Sequence, residues 1–150
     1  MDGTIGPKAH WQPLAIMRVK LGDFVPVGVG PKGNRLVVNV VSAVLTSEKV
    51  NAALATDDAA DWDIPATISE GGLVALDVRF PLKTDDGAFI YVEYQGRGEM
   101  ATGTIAVAPT FQTGSEKYKW LNRVQAISAG NVNLETGDLV YQLYEVKISV

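Results

Sequence analysis

The chain has no cysteine and a single histidine, His10, among its 150 residues. Disulfide staples, thiolate nucleophiles and sulfur-ligated metals are thereby excluded, and a histidine-rich metal site cannot be assembled within one chain. An excess of positive charge is also lacking. The formal net charge is −4, and the 13 basic residues are scattered rather than gathered into a stripe, which argues against a nucleic-acid partner. No stretch approaches the roughly 18 consecutive apolar residues of a membrane span, and the first residues show no charged region leading into a hydrophobic signal core. A soluble, cytoplasmic protein with no membrane partner is the expectation.

What the chain does have is alternation. Apolar residues make up 47% of it, and a 150-residue length fits one domain, 1–150, with residues 1–12 as an N-terminal arm. In "LVALDVRFPL" (73–82) the even positions Val74, Leu76, Val78, Phe80 and Leu82 are all apolar, while Asp77 and Arg79 point the other way. This period of two predicts a half-buried strand. "LVYQLYEVKISV" (139–150) reads similarly, with Val140, Tyr144, Val146, Ile148 and Val150 on one face and Glu145 and Lys147 among the residues opposite.

Further strands are expected in "PLAIMRVKL" (13–21), "RLVVNVVSAVL" (35–45), "WDIPATIS" (62–69), "AFIYVEYQ" (88–95), "GTIAVAPTF" (103–111) and "RVQAISAG" (123–130). Turn signals such as "GPKGN", "TDDG", "TGSE" and "ETGD" separate them. Seven or eight such strands point to an all-β barrel or sandwich with antiparallel connections. Helix is scarce: "SEKVNAALA" (47–55) offers Ser47 as an N-cap for a short helix or an irregular excursion, and "EKYKWLNR" (116–123) offers one helical turn.

The stretch "KTDDGAFIYVEYQGRG" (83–98) tests its own register. A two-residue turn at Asp86-Gly87 would set Phe80 opposite Glu93, mixing the faces. A three-residue loop, Asp85-Asp86-Gly87, pairs Leu82 with Ile90, Phe80 with Val92, Val78 with Tyr94 and Arg79 with Glu93, so both faces agree. Since a buried face fixes register, the three-residue loop is expected, with Gly87 in the left-handed conformation and the aspartates serving turn chemistry. Two arrangements remain open. Either the odd face, with Asp77, Arg79, Tyr91 and Glu93, lines a barrel lumen, or the even face fills the interior and those residues meet water; hydrophobic patterning alone favours the second.

Other motifs fail on context. "GVGPKG" (28–33) lacks the Gly-Lys-Ser/Thr ending of a phosphate loop and joins β-like segments, so a β-turn explains it better. Asp57, Asp58, Asp61 and Asp63 do not match a calcium loop.

The segments "ADW" (60–62), "LDVRFPLKTDDGAFIYV" (76–92), "FQTG" (111–114), "YKWLNRV" (118–124) and "VYQLYEV" (140–146) occur in an order and spacing that resembles the bacterial and fungal family known as domain of unknown function family 3237. The likeness runs from about Leu14 to the C-terminus. It implies an all-β fold, a small antiparallel lipocalin-like or allene-oxide-cyclase-like β-barrel of seven to eight strands, with a cavity open at one end. Barrels of this kind resemble those of cyclases, isomerases and binders of small hydrophobic molecules. The resemblance carries Asp77, Arg79, Asp86, Tyr91, Trp120, Asn122 and Arg123 over as pocket residues.

Two functional classes follow. In the first, the protein is a cofactor-independent isomerase, cyclase or lyase working on a small aromatic or carbonyl-bearing metabolite. Asp77 is then the base, its pKa raised by desolvation; Arg79 holds an anionic oxygen and Tyr91 donates a proton. In the second it is a non-catalytic carrier, with Trp62, Trp120 and Tyr91 as apolar surface and Asn122 and Arg79 orienting the ligand, and with Asp86, Glu93 and Arg123 as further contacts. Against both stands a plain structural account of the "YKWLN" segment, in which Trp120 and Leu121 plug a barrel end and Asn122 caps a turn. No metal or cofactor is called for. An apolar outer sheet face would be covered by self-association, so a homo-oligomer is expected. Size-exclusion chromatography with light scattering should return a mass above that of one chain, and a monomer of 16.1 kDa would overturn this expectation.

Overall fold

The protein is described from a computed structural model that covers residues 6–55, 66–68 and 72–150. Trp62 and the acidic group Asp57, Asp58, Asp61 and Asp63 lie outside the described residues. In chain order the strands are β1 (Lys8–Gly30), β2 (Gly33–Thr46), β3 (Asn51–Leu54), β4 (Ala66–Ile68), β5 (Leu73–Thr84), β6 (Phe89–Glu99), β7 (Thr104–Val107), β8 (Thr110–Gln112), β9 (Ala126–Asn133) and β10 (Asp138–Ser149). A 3-10 turn, Lys119–Arg123, precedes β9. Among the described residues no helix is long and apolar enough to cross a membrane.

All pairings are antiparallel and close into a barrel. β3 and β4 both lie between β2 and β5 at different heights, and β7 and β8 both pair with β6, so the strand segments form a ring of 8 positions, shut by β10 against β1. Closure removes the open edges that would otherwise expose unpaired backbone groups.

The alternation in β5 and β6 is realised as read. Val74, Leu76, Val78, Phe80 and Leu82 are buried, and Leu82 pairs with Ile90, Phe80 with Val92, Val78 with Tyr94 and Arg79 with Glu93. The loop is the three-residue one: the Thr84 N–H donates to the Ala88 carbonyl at 2.8 Å, and Gly87 takes φ +94°. The even face therefore fills the interior. Across it Phe80 and Tyr94 meet edge-on at 6.2 Å between ring centres, and Tyr94 meets Tyr141 likewise at 5.4 Å.

Several strand expectations need correction. β1 begins at Lys8, inside the expected N-terminal arm, because residues 8–13 pair with the end of β10. β1 and β2 run on to a tight hairpin at Pro31-Lys32, the ladder absorbing the glycines and prolines through register shifts near Leu21 and Gly28. Residues 51–54 form a strand rather than a helix. Ser47 Oγ accepts from the Lys49 and Val50 amides at 3.1 and 2.9 Å, so it caps a turn. In β10 the inward residues are Leu139, Tyr141 and Leu143, the face opposite to the one expected. Both faces of its first half are apolar, so alternation alone could not choose between them. Its last residues pass beyond the barrel, paired only with β1, which leaves Ile148 66% exposed.

Gly130 on β9 is needed for this arrangement: a Cβ there would stand 2.6 Å from the Tyr141 ring. At Gly87 a Cβ would meet nothing within 4 Å, so only the backbone conformation resists a larger residue. Gly87→Ala should therefore lower stability by about 1–2 kcal/mol, the cost of an L-residue in the left-handed region. Denaturant unfolding measures this, and an unchanged midpoint would show that the loop relaxes without strain.

Candidate functional site

The odd-numbered face of β5 and β6 points out of the barrel. Asp77, Arg79, Tyr91 and Glu93 all lie on this outer surface, so the trio expected to perform acid–base chemistry is not assembled in the lumen. The reason is the parity of the ladder, which gives the interior to their even-numbered neighbours. Arg79 stands opposite Glu93 in register, but its guanidinium pairs with Asp77 on its own strand, at 3.6 Å. Both side chains are about half exposed, and such a pair contributes about 0–1 kcal/mol.

One end of the barrel is closed by the segment after β8. Tyr118, Leu121 and Val124 are buried against the core, with Trp120 packed partly against it. Lys49 Nζ lies 5.4 Å from the Trp120 ring centre. Asn122 clamps the chain upstream: its Oδ1 accepts from the Thr113 amide at 2.8 Å, and its Nδ2 donates to the Thr113 carbonyl at 2.9 Å. Thr113 in turn donates through Oγ1 to the Phe89 carbonyl at 2.6 Å. Arg123 is exposed. Trp120 and Leu121 thus sit where the plugging account has them, whereas Asn122 ties back to Thr113 instead of capping a turn of its own.

Asp86 belongs to this closed end as well. Its Oδ1 accepts from Thr84 Oγ1 at 2.6 Å and Tyr118 Oη at 2.9 Å, and its Oδ2 accepts from Lys117 Nζ at 2.7 Å. The Lys117 ammonium first, and the Thr84 and Tyr118 hydroxyls after it, hold the carboxyl well below its ordinary 3.8. Lys117 is raised by the same contact. The "TDDG" loop and the "KYKW" segment, distant in sequence, are tied at this one carboxylate.

The opposite end of the barrel holds an apolar cavity of about 60 Å³ lined by Leu36, Leu76, Met100, Ile105, Leu139 and Tyr141, among others. The space exists because the inward row of β6 passes from Ile90, Val92 and Tyr94 to Gly98; a Cβ on Gly98 would come within 3.3 Å of Ile105. Glu99 is the lone charged residue along the lining among the described residues, and it is exposed on the outward, odd-numbered row of β6. Tyr141 lines the cavity, and Tyr94 packs edge-on against it from the core. The hydroxyls of Tyr141 and of its neighbour Tyr94 are fully buried and make no hydrogen bond. They stand close enough to influence each other's ionisation, yet not in bonding geometry. Burial first, and the adjacent Tyr141 second, push the Tyr94 phenol well above its usual range; burial does the same to Tyr141.

Sequence reasoning missed this pair. Tyr94 enters it only as the register partner of Val78, and Tyr141 is not among the residues it singles out in 139–150. The available signal was an inward tyrosine followed on the same row by glycine, a polar tip facing a space that the strand leaves unfilled.

The Asp86 contacts have a pH signature. A carboxyl held below its open-chain value in the folded state adds stability above pH of about 4, and that stability is lost as pH falls further. Asp86→Asn should therefore lower the melting temperature at pH 7, and the gap to wild type should close as the pH is taken below 4. A gap that is constant with pH would mean that packing, not charge, explains the loss.

Comparison with known proteins bears on the fold and the family. A UPF0311 protein of Bradyrhizobium diazoefficiens is 29% identical over 118 residues, spanning 68% of this chain and 74% of that protein. A beta-barrel like protein from Acinetobacter baumannii AYE superposes with a TM-score of 0.78 at 22% identity, covering 96% of this chain and 99% of that one. An enzyme from Penicillium herquei is similar in fold, with a TM-score of 0.69 at 21% identity over 98% and 100% of the two chains. The sequence model described as Protein of unknown function (DUF3237) matches residues 9–146, nearly the whole of the barrel, and the chain belongs to that family.

Proposed function

We propose that the protein binds a small, largely apolar metabolite at the open end of the barrel and acts on it without a cofactor, as an isomerase, cyclase or lyase. The observation that carries this reading is a pair of buried hydroxyls without hydrogen-bond partners, that of Tyr141, which lines the apolar cavity, and that of Tyr94, packed against it. A buried unsatisfied hydroxyl costs about 1–3 kcal/mol, and phenylalanine would pack in the same place without that cost. The hydroxyls gain a role if a ligand oxygen completes them.

The chemistry follows from their protonation. Phenols pushed upward in pKa keep their protons, so they serve as hydrogen-bond donors. With both donors on one carbonyl oxygen, the negative charge that develops there is stabilised while the α-proton passes to water at the mouth. This assigns to Tyr94 and Tyr141 the oxygen-holding role that the sequence had suggested for Arg79 and Tyr91. The likeness in fold to an enzyme from Penicillium herquei supports a catalytic member of the class. A carrier is the second reading, favoured by one observation: the one carboxylate along the cavity, Glu99, stands on the outward row of β6, so among the described residues no inward carboxylate acts as base.

The test uses cyclopentanone as probe. In a protein NMR titration the ketone should shift amides around Gly98, Met100 and Tyr141, and not those of Asp77–Arg79. Tyr94→Phe and Tyr141→Phe should each weaken binding by about tenfold while leaving the melting temperature equal or higher, since each removes an unsatisfied hydroxyl. Accelerated exchange of the ketone's α-hydrogens in D2O, lost in both variants, selects the enzyme; binding without exchange selects the carrier. Binding unchanged in both variants sinks the assignment of the site.

A further inference from the structure

We infer that the cavity selects a neutral ligand oxygen, a ketone, aldehyde, ester or ether, and rejects carboxylates; this rests on the open-end site proposed above and deepens it. A barrel with a greasy interior invites comparison with carriers of fatty acids, but the lining here lacks what an anion needs. Among its described residues there is no lysine, arginine or histidine. The one charged residue along it, Glu99, is an anion on the outward row of β6, so it offers a bound carboxylate no partner. Lys117, the cation most firmly engaged near the barrel, is bound to Asp86 at the opposite, closed end. Arg79 faces outward.

An unpaired carboxylate moved into such a space loses hydration that two phenols cannot replace, whereas a carbonyl oxygen loses much less and gains both donors. The desolvation that keeps the phenols protonated acts on a ligand anion in the same place. A cationic amine is also disfavoured, because it offers no lone pair to two O–H donors. Size narrows the class further. At about 60 Å³ the cavity is smaller than the roughly 300–1,000 Å³ of ordinary ligand pockets, so it takes the oxygen-bearing end of a molecule whose remainder stays at the mouth.

The experiment compares three probes of one carbon frame at neutral pH: cyclopentanone, cyclopentanecarboxylate and cyclopentylamine, each titrated and located by protein NMR. The ketone should bind at the open end at least about tenfold more tightly than either charged probe. A carboxylate or amine that binds at the open end as well as the ketone overturns the selectivity but leaves the site standing. No open-end shift from any probe overturns site and selectivity together.

Discussion

The register of β5 against β6 is the constraint on which the rest depends. Because side chains alternate strictly, a slip of one residue would set Phe80 opposite Glu93 and put one strand's charged row on the same face as the other's apolar row. The three-residue loop with Gly87 at positive φ excludes that slip locally. Asp86 guards it from outside, since its carboxylate is held by Thr84 on the loop and by Lys117 and Tyr118 on the plug. One short loop thus sets the barrel's inside and outside and anchors its closed end.

The central hairpin was legible in the sequence for a physical reason. The even positions 74–82 and 88–94 are all apolar or aromatic, and the charges Asp77, Arg79 and Glu93 fall on the odd ones, so only one pairing satisfies both faces. Which face is inside is a separate matter that parity leaves open, and the structure gives the interior to the even face that hydrophobic patterning favours. The barrel itself, rather than a sandwich, came from the family resemblance, because pairing between distant strands leaves no local trace. β10 failed where its alternation fails: Leu139, Val140, Tyr141, Leu143 and Tyr144 are apolar or aromatic on both sides, and only the partner strands decide. β3 was obscured by alanines and a serine that serve a turn as readily as a helix cap.

The candidate site was the least legible part. Charged residues draw attention in a sequence, yet Asp77 and Arg79 serve the barrel's outer face and Asp86 its closed end. The groups that stand at the cavity are tyrosines, whose aromatic rings count as core in any pattern. What distinguishes them is the missing partner of each hydroxyl, which exists only once the interior is assembled.

Thr84 and Leu76 lie on the same strand, at the closed end and the cavity respectively. They are roughly 25 Å apart at the ~3.3 Å rise of a strand. Over that distance substitutions act almost independently. A lineage of this barrel can therefore rewrite its cavity through Leu36, Gly98, Met100 or Tyr141 while the Asp86 knot keeps the chain folded. Divergence in chemistry and conservation of architecture become separate events, carried by opposite ends of one sheet.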